Sequence, residues 1–175
     1  MKKKTLALVL ALTLLVAGVV GGTLAWLTDQ TAEVKNTFTV GDINIGLTET
    51  TTDYKMVPGN TIAKDPTVTV KANSEACWLF VKVTESANLD DFITYAIATG
   101  WTELEAGVYY REVPASAADQ TFSVLAGDAV TVKSDVTRAM LETAKTDAPT
   151  LTFQAYAIQR DHFATADAAW AEVSK

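Results

Sequence analysis

The sequence has few of the residues that most often build a metal site or a catalytic centre. Its 175 residues include one cysteine, Cys77, and one histidine, His162. A single cysteine excludes an intramolecular disulfide, and a single histidine leaves no His-Glu-x-x-His pair or histidine cluster to hold a catalytic zinc. No Gly-x-Ser-x-Gly motif and no phosphate-binding glycine loop occurs either. We therefore predict no catalytic residues, no metal site and no cofactor.

Basic residues are scarce outside the N-terminus. Residues 1–25 hold three of the fourteen lysines and arginines and no acid, so residues 26–175 carry eleven basic against 21 acidic side chains, a net charge of −10. Such a surface repels nucleic acid and anionic lipid, and we predict no nucleic-acid partner. Subunits that associate must rely on apolar or backbone contacts, or on screening by salt.

Long hydrophobic runs are absent except for one near the N-terminus. Three lysines precede the apolar residues 6–20, and the small residues Thr23 and Ala25 stand three and one positions before Trp26. This pattern predicts an export signal, residues 1–25, that is helical and is cleaved after Ala25, so that the protein is secreted. A retained membrane anchor is the alternative, because the run approaches the roughly 20 apolar residues that span a bilayer.

The remainder, residues 41–175, shows the alternation of apolar and polar residues that is typical of half-buried strands. Residues 67–71 alternate cleanly, whereas residues 77–83 and 151–159 are apolar on both faces. Apolar residues on both faces predict that the strand at 77–83 is central in a sheet or covered on both sides, and that the strand at 151–159 is central. Further strands are predicted over residues 43–47, 93–97, 101–104, 108–113, 120–125 and 129–133.

Turn and helix signals complete the predicted fold. About nine strands, with turns roughly every ten residues and one or two short helices, predict an all-β, two-sheet sandwich, for which jelly-roll and immunoglobulin-like topologies both fit. Ser134 and Asp135 are candidate caps of the first helix. The turns are predicted at 56–60 and 73–75, a loop at 88–91, hairpins around 105–107 and 126–128, and helices over 136–144 and 163–173.

Several residues that could take part in catalysis or ligand binding are better explained by a structural role. Cys77 is predicted to be a small buried hydrophobe, and His162 to lie in a polar turn. Tryptophans could form a sugar-binding platform, but the periodicity of their segments favours packing. Acidic loop residues could bind calcium, but they lack the twelve-residue loop spacing and are predicted to be solvated. The tryptophans are Trp26, Trp78, Trp101 and Trp170, three of which lie in such segments, and the acidic residues are Asp90, Asp91, Asp161 and Asp167.

Two stretches, 21–29 and 36–45, resemble the TasA/camelysin family. The family pattern is a Gly-Thr-x-Ala junction, an aromatic residue and an acid just after it, and then a Thr-Phe-x-x-Gly strand with alternating apolar residues. The turn at 57–60 and the strand at 68–71 are also similar to the family. The residues that match the pattern are Thr23, Ala25, Trp26, Asp29, Phe38, Gly41, Ile43 and Ile45.

The resemblance implies a jelly-roll-like sandwich that is exported through a SipW-type signal peptidase and polymerises into extracellular fibres of a biofilm matrix. In such fibres the mature N-terminal segment of one subunit inserts as a strand into its neighbour. Transferred to this chain, the segment is residues 26–40, ahead of a sandwich domain over 41–175. Its candidate donor side chains are Trp26, Leu27, Val34, Phe38 and Val40.

Other interpretations stay open. Residues 37–47 could be the first strand of the chain's own sandwich, preceded by a solvated tail. The protein could also be a monomeric, secreted or cell-surface module that binds polysaccharide or another matrix protein. A camelysin-like hydrolase is the weakest alternative.

Overall fold

A computed structural model of the chain describes residues 42–52 and 54–175. They lie in one compact unit, Val40–Lys175. The described residues form ten strands, β1 (Ile45–Thr48), β2 (Thr61–Ala63), β3 (Thr67–Val70), β4 (Cys77–Glu85), β5 (Ile93–Thr94), β6 (Thr102–Glu105), β7 (Val108–Val113), β8 (Gln120–Ser123), β9 (Ala129–Val132) and β10 (Leu151–Gln159). Three short helices are α1 (Leu89–Phe92), α2 (Arg138–Thr143) and α3 (Ala166–Val173), and two 3-10 turns span Ala126–Asp128 and Arg160–His162.

The strands form three antiparallel sheets, which confirms the predicted all-β sandwich. The strand orders are β1-β3-β8, β10-β4-β7-β6 and β2-β9-β5. Val68 and Val70 of β3 pack against Leu79 and Val81 of β4, and all four are at most 1% exposed. The main core therefore lies between the first two sheets. Burial of each such side chain stabilises the fold by about 1.5–3 kcal/mol.

The predicted two-sided burial of residues 77–83 is confirmed. Alternate residues of β4 point into the main core, while Trp78 and Phe80 point to the other face of the sheet. Helix α3 covers that face, with Ala169 fully buried and the Trp170 ring 5.3 Å from the Phe80 ring between centroids. The side chain of Thr165 caps α3 by accepting a hydrogen bond from the Ala168 N–H.

The predicted hairpin around residues 126–128 is wrong. Strand β8 pairs with β3, whereas β9 pairs with β2 and β5 in the third sheet. Hydrogen bonds from Lys64 N–H to Asp128 O (2.8 Å) and from Val124 N–H to Pro66 O (2.9 Å) join the two connections. The chain therefore crosses between sheets twice, side by side, and Gly127 provides the required positive φ of 66°.

Two other local signals were interpreted wrongly. The predicted loop at 88–91 contains the single-turn helix α1, which buries Leu89 and Phe92. Helix α2 is capped by Thr137, whose hydroxyl accepts from the Met140 N–H at 3.3 Å, and not by Ser134 or Asp135. The predicted caps lie too early in the sequence, because Val136 is buried ahead of the helix and the helix itself begins only at Arg138.

The remaining predicted elements are found with changed bounds. The turn at Pro58-Gly59 is confirmed by the Asn60 N–H donating to Val57 O at 3.0 Å, with a φ of 78° at Gly59. Strands β6 and β7 form the predicted hairpin, with Gly107 at a φ of 76°. The strand predicted over 93–97 shortens to β5 and one isolated bridge. Strand β1 begins at Ile45, and residues 37–41 lie outside the described residues.

Candidate functional site

Strand β10 lies at the end of its sheet, so its predicted central position is wrong within the described residues. It pairs with β4 over all nine of its residues and has no second partner among residues 42–52 and 54–175. Its two apolar faces have another cause. One face borders the main core, and the other carries Tyr156 and Ile158 beneath α3. Coverage of both faces does not require a strand on both sides.

The hydrogen bonds at the two ends of β10 show which of its backbone groups point away from β4. Ser86 N–H donates to Thr150 O, and Arg160 N–H donates to Ala76 O, both at 2.9 Å. Because bonded pairs alternate along an antiparallel ladder, the even-numbered residues of β10 bond to β4. The odd-numbered residues therefore direct their N–H and C=O groups away from β4. These residues are Leu151, Phe153, Ala155, Ala157 and Gln159.

The open edge of β10 lacks the features that usually protect an edge strand. Its sequence, Leu-Thr-Phe-Gln-Ala-Tyr-Ala-Ile-Gln, contains no charge and no proline, and its pairing with β4 has no bulge. Nine residues give an edge of about 30 Å. Long, uncharged and unbulged edges are sites at which another strand can pair.

The side chains beside this edge form an apolar stripe that is only half buried. Residues 151, 153, 155 and 157 of β10 face the main core, as Ile43 and Ile45 do from the other sheet. Strand β1 is also an end strand, and it contacts β10 without forming a ladder with it. We call the half-buried strip of core along which β1 and β10 meet the lateral groove.

Two adjoining hollows lie where the lateral groove meets the start of β10. Their volumes are about 420 and 390 Å³, and Lys64, Leu151 and Thr152 line both. Met56, Ile62 and Ile93 contribute to the apolar wall of the larger one. This end of the groove therefore has room for additional apolar side chains.

Lys64, at the junction of the two hollows, is a buried cation. It is 8% exposed, and its Nζ lies 2.6 Å from Glu49 Oε1, 4.8 Å from the centroid of the Tyr54 ring and 5.4 Å from that of Phe153. The Tyr54 hydroxyl donates to the same Glu49 oxygen at 2.6 Å. Burial, and then this bond to Glu49, raise the pKa of Tyr54, so the hydroxyl stays protonated and donates.

These contacts hold the segment after β1 against Lys64, beside the lateral groove. Removing Glu49 would leave a buried ammonium unpaired, which typically costs about 3–5 kcal/mol. Asp65 adds a second fastening, because it accepts hydrogen bonds from both the hydroxyl and the N–H of Thr50. The hydroxyl bond is the larger cause of the lowered pKa of Asp65. Sequence reasoning missed this cluster, since a lone lysine between two short strands carries no distinctive spacing.

The predicted cleavage and donor residues lie outside the described residues. Thr23, Ala25, Trp26, Leu27, Val34, Phe38 and Val40 all precede residue 42, and their roles stay predictions. Among the described tryptophans, the predicted packing is confirmed: Trp78, Trp101 and Trp170 are buried or half-buried, and each indole N–H has an acceptor. Cys77 is fully buried, and burial raises the pKa of its thiol to about 11.

Residues 42–52 and 54–175 bring no three histidine, cysteine, aspartate or glutamate side chains together in a group that could hold a metal ion. His162 is exposed in the 3-10 turn after β10, as predicted. No helix in the described part of the chain is long and apolar enough to cross a membrane.

Residues 1–86 match a family model described as Camelysin metallo-endopeptidase. This match identifies residues 1–86 with the TasA/camelysin family. The match spans the predicted signal, the candidate donor segment and strands β1 to β4, and it ends before β10. This family is in general associated with the cell surface and the extracellular space. No curated protein and no solved structure matches the chain.

Proposed function

We propose that this member of the TasA/camelysin family is a secreted structural subunit of extracellular biofilm-matrix fibres. A SipW-type signal peptidase releases the N-terminal segment, residues 26–40, which then inserts as a strand into the next subunit. The observation that carries the proposal is the open, uncharged edge of β10 beside a half-buried lateral groove. A long, uncharged edge strand of this kind is a site at which a strand of another subunit can pair.

The energetics favour such an insertion. Five outward-facing residues of β10 offer about ten backbone hydrogen bonds, each with a net value of about 0.5–1.5 kcal/mol. Burial of the apolar stripe adds about 25 cal/mol per Å². These gains compete with an association cost of about 4–15 kcal/mol. Ordering the donor backbone costs about 1–2 kcal/mol per residue in addition. A complete ladder with apolar side chains therefore offsets much more of the total cost than a contact of a few surface residues does.

The charge of the chain is consistent with this kind of contact. Residues 26–175 carry a net charge of −10, so two subunits repel each other at low salt. Backbone pairing along an uncharged strand avoids placing like charges opposite each other. We therefore expect assembly to become faster as salt is added.

The proposal is tested by imaging two forms of the protein with negative-stain electron microscopy. One form begins at Trp26, and the other begins at Gly41 and so lacks every candidate donor residue. We expect filaments from the first form only. Filaments from both forms, or from neither under any salt condition, would refute the proposal. A monomer that instead binds matrix polysaccharide would support the binding-module alternative.

The description of the matching family as a metallo-endopeptidase favours a second candidate, a metal-dependent protease. It is tested by incubating each purified form with an unfolded protein substrate, with and without a chelator. Cleavage that the chelator abolishes and added zinc restores would establish the protease. The Gly41 form then shows whether activity needs the N-terminal segment.

A further inference from the structure

We infer that the acceptor is the open edge of β10 and that residues 32–40 of a second copy lie antiparallel to it, with Val40 opposite Leu151. This inference rests on the proposed function and adds the partner strand, its direction and its register. A polymer could form through another edge, so the inference can fail while the proposed function stands.

The choice of β10 follows from comparing the ends of the described sheets. Strand β6 carries Glu103 and Glu105 and a shift in register between them. Strands β1 and β8 have four residues each, and β2 and β5 have three and two. Only β10, with nine uncharged residues, offers a ladder long enough to hold a subunit.

The direction of the donor follows from where the chain leaves the domain. Lys71 N–H donates to Asn44 O at 2.8 Å, and Glu75 N–H donates to Asp42 O at 3.1 Å. Residues 42–44 therefore lie at the end of the sandwich where β3 stops and β4 starts. Strand β10 finishes at this same end, because Gln159 is paired with Cys77. Leu151, at the start of β10, lies at the opposite end.

In a head-to-tail polymer, a segment that leaves one subunit at its β4-start end reaches the next subunit at the opposite end. Val40, the donor residue closest to its own domain, then lies beside Leu151, and earlier residues extend towards Gln159. The donor therefore runs antiparallel to β10. A segment that folded back onto β10 of its own chain would place Val40 near Gln159 and run parallel to β10. The direction of the added strand therefore distinguishes a segment from a second copy from a segment of the same chain.

The register follows from the parity of the donor. In an extended strand, Val34, Phe38 and Val40 would share one face with Asn36, and Lys35, Thr37 and Thr39 would share the other. With Val40 opposite Leu151, Phe38 meets Phe153 and Val34 meets Ala157. A slip of two residues places Val40 opposite Pro149, which precedes the strand, or Val34 opposite Gln159. A slip of one residue turns the apolar face outward.

This register narrows the predicted donor segment. Ala32 falls opposite Gln159, so Trp26 and Leu27 lie beyond the end of β10. Asn36 falls opposite Ala155, in the middle of the strand. The polar face of the donor continues the face of β10 that carries the exposed Thr152 and Gln154 and, further along, Tyr156 and Ile158 beneath α3.

The test places cysteine pairs on that exposed face, in chains that begin at Trp26. Thr37→Cys with Gln154→Cys, and Thr39→Cys with Thr152→Cys, are directly opposite in the inferred register. They are non-hydrogen-bonded pairs with Cα atoms about 4.5 Å apart, which a disulfide can bridge. The native Cys77 is fully buried and should not form a disulfide with the introduced cysteines. Fibres are oxidised and separated on a denaturing gel without reductant.

We expect both pairs to give a ladder of covalent multimers. The matched controls exchange partners, Thr37→Cys with Thr152→Cys and Thr39→Cys with Gln154→Cys, and they should not both cross-link. Ladders from both exchanged pairs, or fibres that cross-link in neither arrangement, would overturn the inference. A cross-linked monomer from Lys35→Cys with Gln154→Cys would show instead that the segment occupies its own β10.

A second variant decides the matter if the cysteine variants do not assemble. Ala155→Pro removes an outward N–H of β10 and leaves the donor segment intact. Filaments from this variant, with the wild type assembling normally, would overturn the inference. No filaments from the wild type would instead refute the proposed function itself.

Discussion

Two neighbouring proline substitutions in β10 should disrupt different properties. Gln154→Pro should destabilise the fold, whereas Ala155→Pro should block assembly. Gln154 is bonded to Lys82 of β4 through the alternating ladder, so Gln154→Pro removes one of those bonds and forces the ring against β4. The lost bond is worth about 1 kcal/mol, and the orphaned Lys82 carbonyl costs about 1–3 kcal/mol more. With the steric clash, we expect a loss of about 3 kcal/mol or more in the free energy of unfolding.

Ala155→Pro should cost far less, since the N–H of Ala155 faces away from β4 and has no partner among the described residues. Proline is tolerated on an edge strand at such a position, and we expect a change within about 1 kcal/mol. Assembly should respond differently, because the ring occupies the place of an incoming strand. Ala155→Pro should therefore remain folded but form no filaments.

Urea unfolding followed by tryptophan fluorescence, on the form that begins at Gly41, measures the first effect without interference from assembly. Microscopy of the form that begins at Trp26 measures the second. Mixing Ala155→Pro that begins at Trp26 with the Gly41 form should give a one-to-one complex, because each supplies what the other lacks. Equal destabilisation by the two prolines would show that the outer groups of β10 are already bonded, and the reasoning would be wrong.

Three further predictions concern the described domain. Gly107→Ala should lower the free energy of unfolding by about 1–3 kcal/mol, as seen by urea unfolding, because its φ is positive and a Cβ would lie 2.7 Å from Val83 O. The thiol of Cys77 should not react with an aromatic disulfide at pH 8 until urea is added, because burial raises its pKa to about 11; stoichiometric reaction in the native state would contradict this. Hydrogen bonds from Thr50 lower the pKa of Asp65 below its ordinary value of 3.8, so their stabilisation is complete above about pH 4 and is lost as the pH falls further. Urea midpoints between pH 6 and pH 2.5 should therefore fall more steeply in the wild type than in Asp65→Asn, and parallel curves would refute that assignment.

Local patterns predicted individual strands better than they predicted strand partners. Residues 67–71 and 77–83 formed β3 and β4 as expected, because alternation and β-branched side chains act within each segment. The turn around Gly127 was also real, yet the strands on either side of it do not pair. Their partners are set by β2 and β3, which lie about 60 residues earlier in the chain. No local signal carries that information.

The candidate site was hidden for a related reason. The apolar residues on both faces of β10 are explained by what packs above and below the sheet. They do not indicate whether another strand pairs with β10. The Lys64 cluster depends on Glu49 and Tyr54 converging from the segment after β1. Sequence spacing could not reveal that convergence, whereas the family resemblance rested mainly on two short local motifs, at 21–29 and 36–45.

The opposite placement of residue 42 and Leu151 has a consequence for how such a fibre would grow. One terminus of every filament would display an unfilled β10, and the other would display a free N-terminal segment. The two termini would then elongate at different rates, as in other polar polymers. A chain shortened to begin at Gly41 could occupy only the terminus with the free segment, so small amounts of it would act as a cap and set filament length.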